Sequence, residues 1–195
     1  MNPQAAADST RERIVAAATA EFSRHGIAGA RIERIAKAAR TSKERVYAHF
    51  SSKEALYAYV SGRELTAVAE ATRMDPADLP GYAGRLHDYF AAHPERYRLM
   101  SWGQLELADG ASSADDVTRV ISERKIGQLR KAQEAGLLDP SWDPLDILIL
   151  ISRLSMSWAA HADLIPADEN ERAKFLADRR AAVVAAVERL FPAAR

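Results

Sequence analysis

The chain has 195 residues, 48% hydrophobic and 28% charged, with 27 Lys and Arg against 27 Asp and Glu. That is enough chain and enough apolar matter to bury a core, which argues against a disordered protein. With no cysteine, a disulfide framework, an iron–sulfur cluster and a thiolate zinc site are excluded, and a reducing cytoplasm is the expected setting.

The opening MNPQAAADST has neither a basic start nor an apolar run and is not expected to act as a signal peptide. Ser9 and Glu12 have capping-box spacing and predict the start of a helix. Ile14, Ala18 and Phe22 repeat every four residues along it, and Gly26 is expected to end it. Next come Ile32, Ile35, Ala36 and Ala39, one apolar stripe on a short helix that breaks at Arg40-Thr41-Ser42. A second short helix carries Val46 and Phe50 one turn apart. If Val46 faces the core, Glu44 and Ala48 fall on the opposite side, flanked by Arg45 and Tyr47. Two short amphipathic helices about a polar turn are the anatomy of a helix-turn-helix, whose second helix lies in the major groove of DNA. Ser51 and Glu54 form another capping box, opening a longer helix to about Arg73. Charge agrees with this division: residues 1 to 63 carry 11 Lys and Arg against 6 Asp and Glu, while the remainder carry 16 against 21. A polyanion needs a local positive surface, not a positive total.

Beyond a break at residues 74 to 81, helices are expected at about 81–92, 95–108, 114–135, 143–163 and 169–191, with loops at Asp109–Ser113 and Asp139–Pro144. Pro94 either separates the first two of these or kinks one longer helix. No segment alternates as a strand. The fold class is therefore all-α, about nine helices, with a helix-turn-helix domain over 1–52 and a second helical domain over 53–195. The most apolar stretch, at residues 145 to 162, holds Asp146 and Arg153, so no membrane span is expected. The helix at 143–163 is apolar nearly all round at Ile147 to Ile151, and Leu176, Val183 and Leu190 recur seven apart on the last one. Such a pair either sits in one large core or packs against its copy.

The segment from Ile14 to Leu56 resembles the DNA-binding region of the tetracycline-repressor (TetR) family of bacterial regulators. The resemblance rests on Ile14, Ala17, Ala18, Phe22, Gly26, Ile35, Ala36, Ala39, Ser42, Tyr47, Phe50, Lys53, Glu54 and Leu56, in register and without a gap. It implies a regulator, expected to be a repressor, that binds a palindromic double-stranded operator as a homodimer through residues 143–191 and is released by a small-molecule effector. Direct readout is expected from Lys43, Glu44 and Arg45: an arginine pairs with guanine, and a glutamate accepts from cytosine. Glu44 has a second reading as the partner of the Thr41 amide in a capping box over Thr41-Ser42-Lys43-Glu44. By resemblance Tyr47, His49 and Lys53 clamp the phosphate backbone, although His49 could equally cap or pack. The sequence departs from the family at the turn, where Arg40 replaces the usual glycine and Thr41 an apolar residue, and at Ala30 and Arg31. Arg31 and Arg40 are both placed to reach phosphate.

Effector candidates among the middle helices are Tyr82, His87, Tyr97, Trp102, Gln104, Glu106, Trp158 and His161, with Trp102 and Glu106 on one face at i and i+4. Aromatic residues at helical spacing are equally the material of a core. No cofactor and no metal are expected: His87 and His93, six apart, lie about 240° round a helix and share no ligand face. A nucleophile with its base, a carboxylate pair or a glycine-rich phosphate loop would point to an enzyme, and none is seen. A helical scaffold protein with a basic partner-binding end is the alternative.

Overall fold

The computed structural model describes residues 3–106 and 113–192, with side chains described at 9–106, 117–161 and 163–192. Among these residues the chain is helical, with no strand. The helices are α1 (Pro3–Gly29), α2 (Ile32–Ala38), α3 (Lys43–His49), α4 (Lys53–Ala71), α5 (Leu79–Ala92), α6 (Pro94–Glu106), α7 (Ser113–Glu134), α8 (Pro144–Met156) and α9 (Glu169–Leu190), with a 3₁₀ turn at Ser157–Leu164 between the last two. The all-α expectation holds. The loop expected at Asp109–Ser113 lies outside the described residues, except Ser113, where α7 begins.

The chain divides into two compact units, 1–65 with 98–118, and 66–97 with 119–195. The first has the core that the four-residue repeat foretold. Ile14, Ala18 and Phe22 are fully buried with Ile35, Ala39, Val46, Leu56, Val60 and Leu99. Phe22 meets Tyr57 edge to face at 5.3 Å, and the Tyr57 hydroxyl donates to the Leu99 carbonyl at 2.6 Å. Burial pushes that phenol up to about 12, so it remains a donor throughout the neutral range.

Several helix ends differ from expectation, and α1, expected to end at Gly26, kinks there and runs on to Gly29. α1 starts at Pro3, so Ser9 is interior; its hydroxyl accepts from Arg13, and Glu12 instead pairs with Arg63 at 2.7 Å. Helix α4 is capped by Ser52 rather than Ser51, its hydroxyl accepting from the Ala55 amide at 3.0 Å. The expected helix 143–163 is α-helical only to Met156. Ser152, Ser155 and Ser157 donate to the Leu148, Ile151 and Leu154 carbonyls, competing with the backbone ladder. The chain then tightens to a 3₁₀ turn, and at His161 (φ −118°, ψ 49°) leaves helical geometry. His93 (φ −132°, ψ 60°) separates α5 from α6, so Pro94 starts a helix, where its missing N–H costs nothing.

In the second unit α5 packs on α9 and α8. Leu79, Tyr82, Leu86 and Phe90 of α5, Ile147 and Ile151 of α8, and Val183 and Val187 of α9 are buried. At Gly84 a Cβ would come within 2.7 Å of Arg180 Nη2 and 3.2 Å of a Val184 methyl, so glycine sets how closely α5 and α9 approach. Arg180 Nε donates to Asp88 Oδ2 at 2.8 Å across the same contact. Lys125 of α7 donates to the Tyr82 hydroxyl at 2.7 Å; its burial lowers the ammonium to about 8.

Candidate nucleic-acid interface

The turn between α2 and α3 closes as a Schellman motif. The Thr41 amide donates to the Ala36 carbonyl at 3.0 Å and the Arg40 amide to that of Lys37 at 3.2 Å, leaving Arg40 at φ +53°. The end of α7 closes in the same way, with the Leu137 amide on Ala132 and the Gly136 amide on Gln133, but there a glycine takes the left-handed position at φ +72°. The turn thus keeps the geometry that a glycine would favour and places an exposed cation in it. Arg40→Gly is expected to raise the stability of the folded chain by about 1 kcal/mol, read as a small rise in the thermal midpoint, while weakening DNA binding if the guanidinium meets phosphate. A midpoint that falls would mean that Arg40 makes stabilising contacts exceeding its backbone strain.

Helix α3 is capped by Ser42, whose hydroxyl accepts from the Arg45 amide at 3.2 Å. Val46 is its buried residue, and Lys43, Glu44, Arg45, Tyr47 and Ala48 are exposed, as the 3.6-residue period requires. Glu44 does not bond the Thr41 amide, which Ala36 has taken. Its carboxyl is held below the ordinary range by its own backbone amide and the Ser42 hydroxyl, so the capping pattern is shifted by one residue and the side chain stays exposed. Lys43 is paired with Glu33 of α2 at 2.5 Å. Both ends of that pair are open to solvent, where an ion pair contributes little and exchanges readily for another anion.

Tyr47, Arg31 and Lys53 border one shallow depression, lined also by Ala30, Ile32, Ser51, Ser52 and the acidic Glu33 and Glu54. It lies beside the start of α4, where helix amides favour an anion. Lys53 Nζ donates to the Ala28 and Ala30 carbonyls at 3.3 and 3.4 Å. His49 is half-buried beside Phe50, ring centroids 6.5 Å apart, and Thr41 is half-buried in the turn.

Three contacts that buttress this surface had no signal in the local pattern. Glu21 Oε1 accepts from the Arg31 amide at 3.0 Å and from Arg34 Nε at 2.6 Å. Arg13 donates to the Ala39 carbonyl at 3.1 Å. At Gly26 (φ 68°, ψ −174°) α1 kinks, and the Trp102 ring and Glu106 carboxylate close on it; Glu106 Oε2 accepts from the Ala28 amide at 2.7 Å. Only the i, i+4 spacing of Trp102 and Glu106 was visible in the sequence. The face they share is turned to this kink.

The other effector candidates are dispersed. His87 and Trp158 line one cavity of about 210 Å³ in the second unit, with Phe90, Ala91, Pro94, Ser155, Ala159, Ile165, Pro166, Ala167 and Arg172. His87 Nδ1 is 3.3 Å from Asp88 Oδ1, and its buried Nε2 has no hydrogen-bond partner. Tyr82 is buried under Lys125, and Tyr97 is half-buried with its ring 6.3 Å from that of Phe90. His161 is exposed, with Nδ1 2.9 Å from the Ser157 carbonyl. Gln104 is exposed on α6. Ile165 to Ala167 and Arg172 were not foreseen, because they join the wall only where the chain turns from the 3₁₀ segment into α9. Among the described residues no group of three or more acidic or imidazole side chains could hold a metal, and no helix is long and apolar enough to cross a membrane.

Comparison with known proteins agrees with this geometry. Residues 14–60 match the family described as bacterial regulatory proteins, tetR family, and residues 78–189 the tetracyclin repressor-like C-terminal domain. The chain is 38% identical over 152 residues to the HTH-type transcriptional repressor SCO4008 of Streptomyces coelicolor, covering 78% of this chain and 79% of that one. It is 33% identical to the HTH-type transcriptional repressor NicS of Pseudomonas putida, covering 67% and 64%. The crystal structure of SCO4942 from Streptomyces coelicolor superposes with a TM-score of 0.78 at 54% identity, over 94% of this chain and 98% of that one. With both halves of the chain matched and relatives similar over most of its length, the chain belongs to the TetR family of DNA-binding transcriptional regulators.

Proposed function

We propose that this regulator is a repressor, which binds a palindromic operator as a homodimer and leaves it when a small molecule occupies the second unit. The observation that carries the DNA half of this reading is the open, donor-rich face of α3 opposite buried Val46. Arg31, Arg40, Tyr47, His49 and Lys53 would hold phosphates, Thr41 and Ser42 the turn nearest the backbone, and Lys43, Glu44 and Arg45 the base edges. Lys43 would exchange Glu33 for DNA on docking. Two named repressors among the relatives support the sign of regulation. In this division of labour residues 1–52 read DNA and residues 53–195 receive effector and partner, all within the cytoplasm.

Dimerisation through residues 143–191 is supported by exposed apolar side chains on the last two helices: Leu145, Ile149 and Leu150 of α8 and Leu190 of α9. A stripe of this kind on a terminal helix pair is what a second copy would cover. Leu145→Asp with Ile149→Asp is expected to convert the dimer to monomer in sedimentation, and to cost operator binding at least tenfold because each half-site is then bound alone. A double variant that still sediments as a dimer would place the interface elsewhere.

Capture of genomic fragments on the purified protein, across a salt series, tests the whole reading. One enriched palindrome, with affinity falling steeply as salt rises, is the expected result. Fragments without a common sequence, from a folded protein, would favour the helical interaction protein instead.

A further inference from the structure

One polar atom in the wall of the cavity is left unmet by the protein itself. The His87 side chain is 2% exposed, with Nδ1 3.3 Å from Asp88 Oδ1, and Asp88 is in turn fixed by Arg180 at 2.8 Å. A carboxylate held by a guanidinium only accepts, so Nδ1 carries a proton, and in the neutral imidazole Nε2 keeps a lone pair. That Nε2 is buried without a partner, on a residue that lines the cavity. The remaining walls are mostly apolar, with Phe90 and Trp158 as aromatic faces and Ile165 and Pro166 beside them. Ser155, the other buried polar residue of the lining, spends its proton on the Ile151 carbonyl at 2.8 Å.

Resting on the reading of this unit as the effector domain, we infer that the cavity takes a compact, uncharged aromatic molecule whose N–H or O–H donates to His87 Nε2. Size agrees with that class. An apolar cavity of about 150 Å³ holds one benzene ring, so about 210 Å³ suits one substituted ring or a fused pair. An ionised carboxylate is disfavoured: it brings only acceptors to a lone pair and loses its hydration in an apolar wall. Among the described residues the exposed Arg172 is the sole cation in the lining.

Calorimetric titration of the full chain with indole, with benzofuran, which replaces the N–H by a ring oxygen, and with 2-naphthoate tests the inference. Indole is expected to bind at least tenfold more tightly than benzofuran, and 2-naphthoate more weakly than indole. His87→Leu should abolish the preference for indole while benzofuran binding changes little, and Ala159→Leu, which fills the space, should weaken both. Equal affinity for indole and benzofuran in the wild-type protein, tighter binding of 2-naphthoate, or no binding of any of the three would overturn it, and the wild-type titrations do not depend on a variant folding. Operator retention measured on the same samples keeps the two readings apart. Indole bound with the stated preference but without effect on DNA would sink ligand-controlled release alone. DNA binding intact with no preference for indole would sink this inference alone.

Discussion

Gly26→Val is expected to destabilise the protein by about 3 kcal/mol, lowering the thermal midpoint of a 195-residue chain by roughly 6–12 °C. Two costs add. At φ +68° any L side chain is strained by about 1–2 kcal/mol, and a β-branched one more than most. Its Cβ would also overlap Glu106 Oε1 and lie 3.0 Å from the Trp102 ring, so Glu106 must withdraw from the Ala28 amide, a charge-assisted bond contributing about 1.5–3 kcal/mol. Glu106→Ala removes only the bond, and is expected to cost less, about 1.5 kcal/mol. Circular dichroism melts of both variants check the comparison. A midpoint for Gly26→Val within a degree of wild type would mean that the kink relaxes and that Trp102 and Glu106 are not seated against it.

Tyr47→Phe combined with Lys53→Ala is expected to weaken DNA binding by about a hundredfold, the second large effect, and to reduce the slope of log affinity against log salt by about one. Both side chains border the depression at the start of α4, one offering a hydroxyl and the other an ammonium. Neither would meet a base, so operator and random DNA should weaken alike. Arg45→Ala makes the contrast. As a reader of base edges it should relax preference at one operator position while leaving the salt slope nearly unchanged. Fluorescence anisotropy on operator and scrambled duplexes, at three salt concentrations, separates the two behaviours. Loss confined to the operator in the double variant would transfer these residues from backbone to base recognition.

What the sequence disclosed was local. The stripe Ile32, Ile35, Ala36 and Ala39, the Val46–Phe50 step and the polar turn between them define a helix-turn-helix by spacing alone, and all six of these apolar residues are buried. The positive φ of Arg40 accords with the family resemblance, in which a glycine usually stands at that step of the turn. Cap positions slipped by one, to Ser42 and Ser52, because adjacent hydroxyl residues satisfy the same spacing rule and only geometry chooses between them. The cavity of the second unit was least legible. Residues 143–163 read as one helix, but the chain tightens to a 3₁₀ turn: Trp158 lines the cavity, while His161, its ring 6.5 Å from that of Trp158, is exposed and outside the lining. Tyr82, Trp102 and Glu106 have the composition of a ligand site and are engaged by partners 43 to 78 positions away in sequence, a pairing no periodicity encodes.

Residues 28–30, the end of α1 and the first residue of its link to α2, are held from both directions. The Ala28 amide is bound by the carboxylate near the end of α6, and the Ala28 and Ala30 carbonyls by the ammonium at the head of α4. A peptide link gripped by an anion on its N–H side and a cation on its C=O side behaves as a strut rather than a hinge. If the end of α6 is displaced, the tension would run along this link to the first turn of α2 and to the same lysine that borders the depression beside α4. Movement and loss of grip on DNA would then be a single event.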